Sequence, residues 1–179
     1  MEHERTISSR QVYEGRVLNL RVDSVELSGG RSSTREIIEH RGAVVIAAVD
    51  GSGNVLMVRQ FRKPVEQELL ELPAGTLESG EDPEACASRE LQEETGFRAE
   101  KLEKLGGFYS APGFCTEYLH LFLATGLQPS PLAGDDDEDI RVAPTPISEV
   151  PSLIASGEIR DAKSVAGLLR VLRERFPGL

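Results

Sequence analysis

The stretch DPEACASRELQEETG, residues 82–96, constrains the fold most, because it carries both punctuation marks of a helix. Asp82 is a favoured N-cap residue and Pro83 suits the first helical position. No Gly or Pro follows until Gly96, and glycine readily takes the left-handed stop. A helix over Pro83–Thr95 is therefore predicted. The text ahead of it has another rhythm. RVLNLRVDSVEL, TREIIEH, GAVVIAAVD and NVLMVRQFR read as strands, parted by SGGRSS and by DGSGN, a Gly/Asn hairpin signal. ELLELPAG (68–75) reads as a further short strand closed by Pro and Gly.

Beyond the helix, KLEKLGGFYS and EYLHLFLATGL look like strands flanking the turn APGF, and GDDDEDIRVAPTPIS is an acidic loop entering a last strand. Two helices close the chain, SEVPSLIASG and AKSVAGLLRVLRERF, the second with an apolar stripe at 165, 168, 169 and 172. Strands first, one helix in the middle and helices at the end make an α+β organisation. At 179 residues and 39% hydrophobic, one main domain with a small additional sheet is expected.

A net charge of −10 argues against a partner held by a basic surface, so neither nucleic acid nor membrane is expected. A polyanionic substrate would need cations supplied locally. The longest apolar runs, such as AVVIAAV (43–49), are too short to span a bilayer, and MEHERTISSRQ lacks a signal-peptide core. A soluble, cytoplasmic protein is expected. Cys86 and Cys115 form no CxxC pair and suggest neither zinc nor a disulfide framework, so they read as small buried hydrophobes.

On the predicted helix, Glu90, Glu93 and Glu94 stand at i, i+3 and i+4 and share one face. Three like charges so close repel one another unless a cation sits among them, and carboxylate oxygens suit a hard divalent ion. Composition alone leaves an exposed acidic face, with Arg89 as counter-ion, equally open.

The spacing decides between them. Gly75, five residues, Glu81, seven residues, then Arg89, Glu90, Leu91, one residue, Glu93, Glu94, one residue, Gly96 and Phe97 resembles the signature of the Nudix hydrolases. A chance match at nine constrained positions is on the order of 10⁻⁶ to 10⁻⁵ for a chain of this composition. The resemblance implies a Nudix α/β/α sandwich with a mixed sheet (residues 41–179), preceded by a small N-terminal antiparallel sheet. It implies hydrolysis of a nucleoside diphosphate linked to another group, with Mg²⁺, or Mn²⁺ in its place, as cofactor. Glu90 and Glu94 would be the principal metal ligands, Glu93 a further ligand or base, and the backbone carbonyl of Ala74 another ligand. Arg89 would orient the glutamates.

The flanks name the substrate class. SAPGFCTE (110–117), with its proline sixteen residues past Gly96, is similar to the ADP-ribose pyrophosphatase branch, as are TREIIEH, VRQFR, LELPAG and GEIRDAKSVAGLL. Read alone, APGF is an ordinary turn and DDDED (135–139) an ordinary acidic loop. The resemblance implies ADP-ribose or a related nucleoside diphosphate sugar as substrate. Arg35 and Glu39 would lie near adenine and ribose, and Arg62, with Arg59, at the phosphates or terminal ribose. Ala111 to Glu117, Gly113 among them, would form a loop over the substrate. Glu138, with Asp136 second, would be a metal ligand or general base. The resemblance further implies a homodimer paired through residues 1–40. Alternatives kept are GDP-mannose, a dinucleoside polyphosphate, or a non-catalytic ADP-ribose sensor.

Overall fold

The computed structural model describes residues 3–134 and 139–178, and the chain divides into two compact units. The first comprises Met1–Gly42 with Tyr109–Tyr118. Its strands β1 (Arg5–Glu14), β2 (Asn19–Glu26) and β3 (Ser32–Glu39) form an antiparallel sheet in that order. Every residue of β1 is exposed, including Ile7, Val12 and Tyr13. The short 109–118 segment is stitched to the end of β3. The Ile38 N–H donates to the Phe114 carbonyl at 2.8 Å, and the Thr116 N–H donates to the Ile38 carbonyl at 2.9 Å. The sequence reading did not anticipate that this segment groups with the N-terminal strands.

The second unit comprises Ala43–Phe108 and Leu119–Leu179. Its strands are β4 (Ala43–Ala48), β5 (Asn54–Arg62), β6 (Gln67–Glu71) and β7 (Ala74–Thr76), then β8 (Phe97–Tyr109), β9 (Tyr118–Pro129) and β10 (Ile140–Pro146). Helix α1 (Pro83–Thr95) lies between β7 and β8, and α2 (Val150–Ser156) and α3 (Ala162–Arg175) end the chain. One sheet has the order β7-β4-β9-β8, with β4 antiparallel to β7 and parallel to β9; the other has the order β10-β5-β6.

Strand β4 is AVVIAA, and all six residues are buried. Successive side chains on a strand point to opposite faces. Val44, Ile46 and Ala48 accordingly pack with Cys86, Ala87 and Leu91 of α1. Ala43, Val45 and Ala47 pack with Leu168, Val171 and Leu172 of α3. The sheet is thus sandwiched between helices, and each fully buried Val, Leu or Ile contributes about 1.5–3 kcal/mol.

Helix α1 runs over the predicted residues. The Asp82 carboxylate accepts from the N–H groups of Glu84 and Ala85, and Gly96 ends the helix at φ 78°. The structure sharpens one sequence reading and corrects another. The DGSGN turn forms, with the Gly53 N–H donating to the Asp50 carbonyl at 3.2 Å and the Asp50 N–H donating to the Asn54 carbonyl at 2.9 Å, and a single antiparallel bridge, Val49 to Val55, closes it before the strands part. Both edges of the buried β4 are taken by β7 and β9, so β5 departs to pair with β6 and β10. On α3, Leu169 is half exposed and Val171 takes its place in the core, because the buried face is centred on Ser164, Leu168 and Val171.

Candidate active site

Pro83 and Gly96 fix where α1 begins and ends, and this sets which way its acids face. Arg89 is the hub. Its Nε and Nη2 donate to the two Glu81 carboxylate oxygens at 3.1 and 3.0 Å, while Nη1 donates to Glu90 at 2.6 Å and to Glu93 at 3.0 Å. A forked guanidinium suits this task, since it holds planar carboxylates in fixed directions. These hydrogen bonds hold Glu81 well below the usual carboxyl range, at about 2, and hold Arg89 above its ordinary value.

Glu94 turns inward and is only 8% exposed. Its Oε2 accepts from the Ala74 N–H at 3.2 Å, which ties the helix to β7. Glu90 lies against Gly75, where a Cβ would overlap its carboxylate. Under the helix, Cys86 is buried, and burial first, then the Glu81 charge, pushes its thiol up to about 12. Such a thiol is not a nucleophile at neutral pH. Cys115 is only half-buried, so the expectation of a buried hydrophobe holds for Cys86 alone.

Arg62 approaches from β5. It donates to Glu71 from Nη2 at 2.6 Å and from Nε at 3.1 Å, and its charge is felt by Glu94 and Asp161. Arg59 faces the other way: in a strand, residues three apart lie on opposite faces, and Arg59 pairs with Glu158 at 2.7 Å and Glu68 at 3.6 Å. Glu71 and Lys163, which complete the Arg62 cluster, were missed by sequence reasoning. One signal was available, a lone acid inside the apolar run LLELP.

In the N-terminal unit, Gly15, Arg16, Val17, Leu18, Asn19 and residues 39–41 line an open cavity of about 280 Å³. Glu39 is in it and pairs with Arg21. His40 Nδ1 accepts from the Gly42 N–H at 3.1 Å and lies 3.5 Å from Glu117, which places Glu117 beside one residue of that lining. Arg35 is not a lining residue; it pairs with Glu4. Ala111 begins the turn over Gly113, accepting from the Phe114 and Cys115 N–H groups. Asp136 and Glu138 lie outside the described residues.

Among the described residues, no three acid, imidazole or thiol side chains converge as ligands of one ion. The donor set nevertheless fits a hard cation. Arg89 gathers three carboxylates, those of Glu81, Glu90 and Glu93, whose oxygens are the hard donors such an ion prefers, and Glu90 sits in a cradle that only glycine leaves open.

Residues 39–168 match the NUDIX domain family. The chain belongs to the Nudix family. Residues 4–38 of this Nudix hydrolase match a second model, the nucleoside diphosphate sugar hydrolase N-terminal domain. An ADP-ribose pyrophosphatase of Bacillus subtilis is 45% identical to it over 163 residues, 90% of this chain and 88% of that protein. A methanol dehydrogenase activator of Bacillus methanolicus is 43% identical, over 90% and 89% of the two chains. The crystal structure of an ADP compounds hydrolase, 24% identical, superposes with a TM-score of 0.88 over 99% of this chain and 96% of its own; it supports the fold alone. Nudix hydrolases are in general dependent on divalent metal.

Proposed function

We propose that this Nudix hydrolase cleaves the pyrophosphate bond of ADP-ribose, adding water to give AMP and ribose 5-phosphate. The observation that carries this reading is the Arg89-ordered carboxylate helix, in a chain whose N-terminal strands match the nucleoside diphosphate sugar hydrolase model. The 45% identity to the Bacillus subtilis pyrophosphatase supports ADP-ribose in particular.

In this reading Glu90 and Glu94, with Glu93, the Ala74 carbonyl and Glu138 as further ligands, hold Mg²⁺, with Mn²⁺ as the alternative. A divalent ion bound there neutralises pyrophosphate oxygens and lowers the pKa of an attacking water. Arg89 keeps Glu90 and Glu93 aimed, while Arg62 meets a phosphate. Glu138, with Asp136 second, serves as base. Glu39, Ala111, Gly113 and Glu117 are further substrate-binding residues in this reading. Arg35 and Arg59, each engaged by acids, take secondary parts.

We further propose that residues 1–40 act as a dimerisation segment for the hydrolase domain of 41–179. The ten-residue exposed strand β1 is an open edge of the kind that templates pairing with another chain. The free cysteines fit a cytoplasmic location.

The test is a product assay with Mg²⁺ against a panel of ADP-ribose, GDP-mannose and dinucleoside polyphosphates, ranked by kcat/KM. AMP and ribose 5-phosphate are expected, with turnover abolished by chelator and by Glu94→Gln. Intact ADP-ribose beside rapid cleavage of another nucleotide would sink the substrate assignment. Binding of ADP-ribose without cleavage of any nucleotide would instead identify a sensor. Light scattering is expected to give a dimer. The Bacillus methanolicus relative favours a second reading, in which hydrolysis stimulates a dehydrogenase. That reading predicts a faster methanol dehydrogenase rate when the two proteins are mixed, and an unchanged rate removes it.

A further inference from the structure

The first turn of α3 carries a charge cluster that the hydrolytic reading does not use. Asp161 caps the helix, accepting from the Ser164 N–H at 3.1 Å. Lys163 donates to Asp161 at 2.9 Å and to Glu71 Oε2 at 2.6 Å. Glu71 is 2% exposed, and the same oxygen accepts from Arg62 Nη2 at 2.6 Å. Ser164, fully buried, locks the turn by accepting from the Leu72 N–H at 2.7 Å. The Lys163 ammonium is therefore fixed against the Glu71 carboxylate by neighbours on both sides.

The consequence falls on Arg62. Two of its nitrogens are committed to Glu71, while Nη1 makes no hydrogen bond among the described residues, and the side chain is 37% exposed. Its outer edge is turned to solvent with a defined orientation. Because Lys163 shares Glu71, that carboxylate does not spend its whole charge on Arg62. The guanidinium keeps its pull on an anion, and Glu94 lies within range of its field. An arginine held on one edge and open on the other suits a phosphate group.

We propose that Lys163 and Glu71 are positioning residues that set the orientation and available charge of Arg62 for a substrate phosphate. The proposal rests on the reading that the site takes a nucleoside diphosphate compound. Lys163 touches no substrate in it and acts only through Glu71.

The experiment measures ADP binding by calorimetry without divalent metal, for the native chain, Arg62→Met, Lys163→Met, the double variant and Lys163→Arg. Lys163→Met is expected to weaken ADP on the order of tenfold, the usual cost of losing a group that orients a binding residue. The double variant should bind no more weakly than Arg62→Met, since both changes remove one interaction. Lys163→Arg should recover most of the affinity. With ADP-ribose, KM should rise in Lys163→Met while kcat changes less. A purely structural lysine would lower the melting temperature and leave KM alone. Native ADP affinity in folded Lys163→Met, or losses that add in full in the double variant, would overturn the proposal. Should Lys163→Met not fold, Lys163→Gln gives the same reading, because it drops the charge and keeps a donor. A native protein that binds ADP through Arg62 yet leaves ADP-ribose intact would sink the hydrolytic reading and leave this one standing. Rapid ADP-ribose turnover without measurable ADP binding would do the reverse.

Discussion

The Glu90 carboxylate occupies the space that a side chain on Gly75 would fill, so strand β7 and helix α1 meet through an absent Cβ. The end of a glutamate side chain moves cheaply. Gly75→Ala should therefore cost the fold little and displace the carboxylate instead. We expect kcat on ADP-ribose to fall about 10–100-fold, as for other changes that misplace a metal ligand. A urea midpoint close to the native value, beside that loss, checks it; native kcat would show that Glu90 is not a ligand.

Glu81 gives a pH signature. Its carboxyl ordinarily titrates near 4.5 and is held at about 2 by the Arg89 hydrogen bonds. The folded form thus prefers the ionised acid, and the stabilisation is complete above about pH 4.5 and lost as pH falls toward 2. Glu81→Gln should melt below the native protein at neutral pH, with the gap closing across that window. A gap that stays constant down to pH 2 would show that the pair contributes nothing through ionisation.

Ser164 should be costly to truncate although it is small. Ser164→Ala leaves the Leu72 N–H without its partner in a fully buried position, a loss of about 1–3 kcal/mol. Denaturant unfolding measures it, and an unchanged midpoint would mean that the amide finds another acceptor.

Asp82→Ala removes the acceptor from two N–H groups at the start of α1 and should cost about 0.5–2 kcal/mol. Asp82→Asn, which keeps an oxygen there, should recover most of it. Equal melting of the two variants would assign the loss to charge rather than to the cap.

What was legible in the sequence was local. Asp82, Pro83 and Gly96 determine α1 through their own backbone preferences, and the i, i+3, i+4 spacing of Glu90, Glu93 and Glu94 follows from the helical period. The pairing of β4 with β9 was not legible, because the partners are 76 positions apart and DGSGN specifies a turn without specifying what the strands beyond it meet. Glu71 and Lys163 were hidden for the same reason: they lie 92 positions apart and become one cluster only when α3 docks on the sheet. Arg59 and Arg62 look alike in VRQFR. Only the pleat separates them, sending one to Glu158 and the other to Glu71.

Strand β4 has α1 on one face and α3 on the other, so its six residues answer to two neighbours at once. A change there that suits only one helix disturbs the other. Loops around this strand can be lengthened or exchanged to suit a new substrate, whereas AVVIAA is the part an engineer should leave alone.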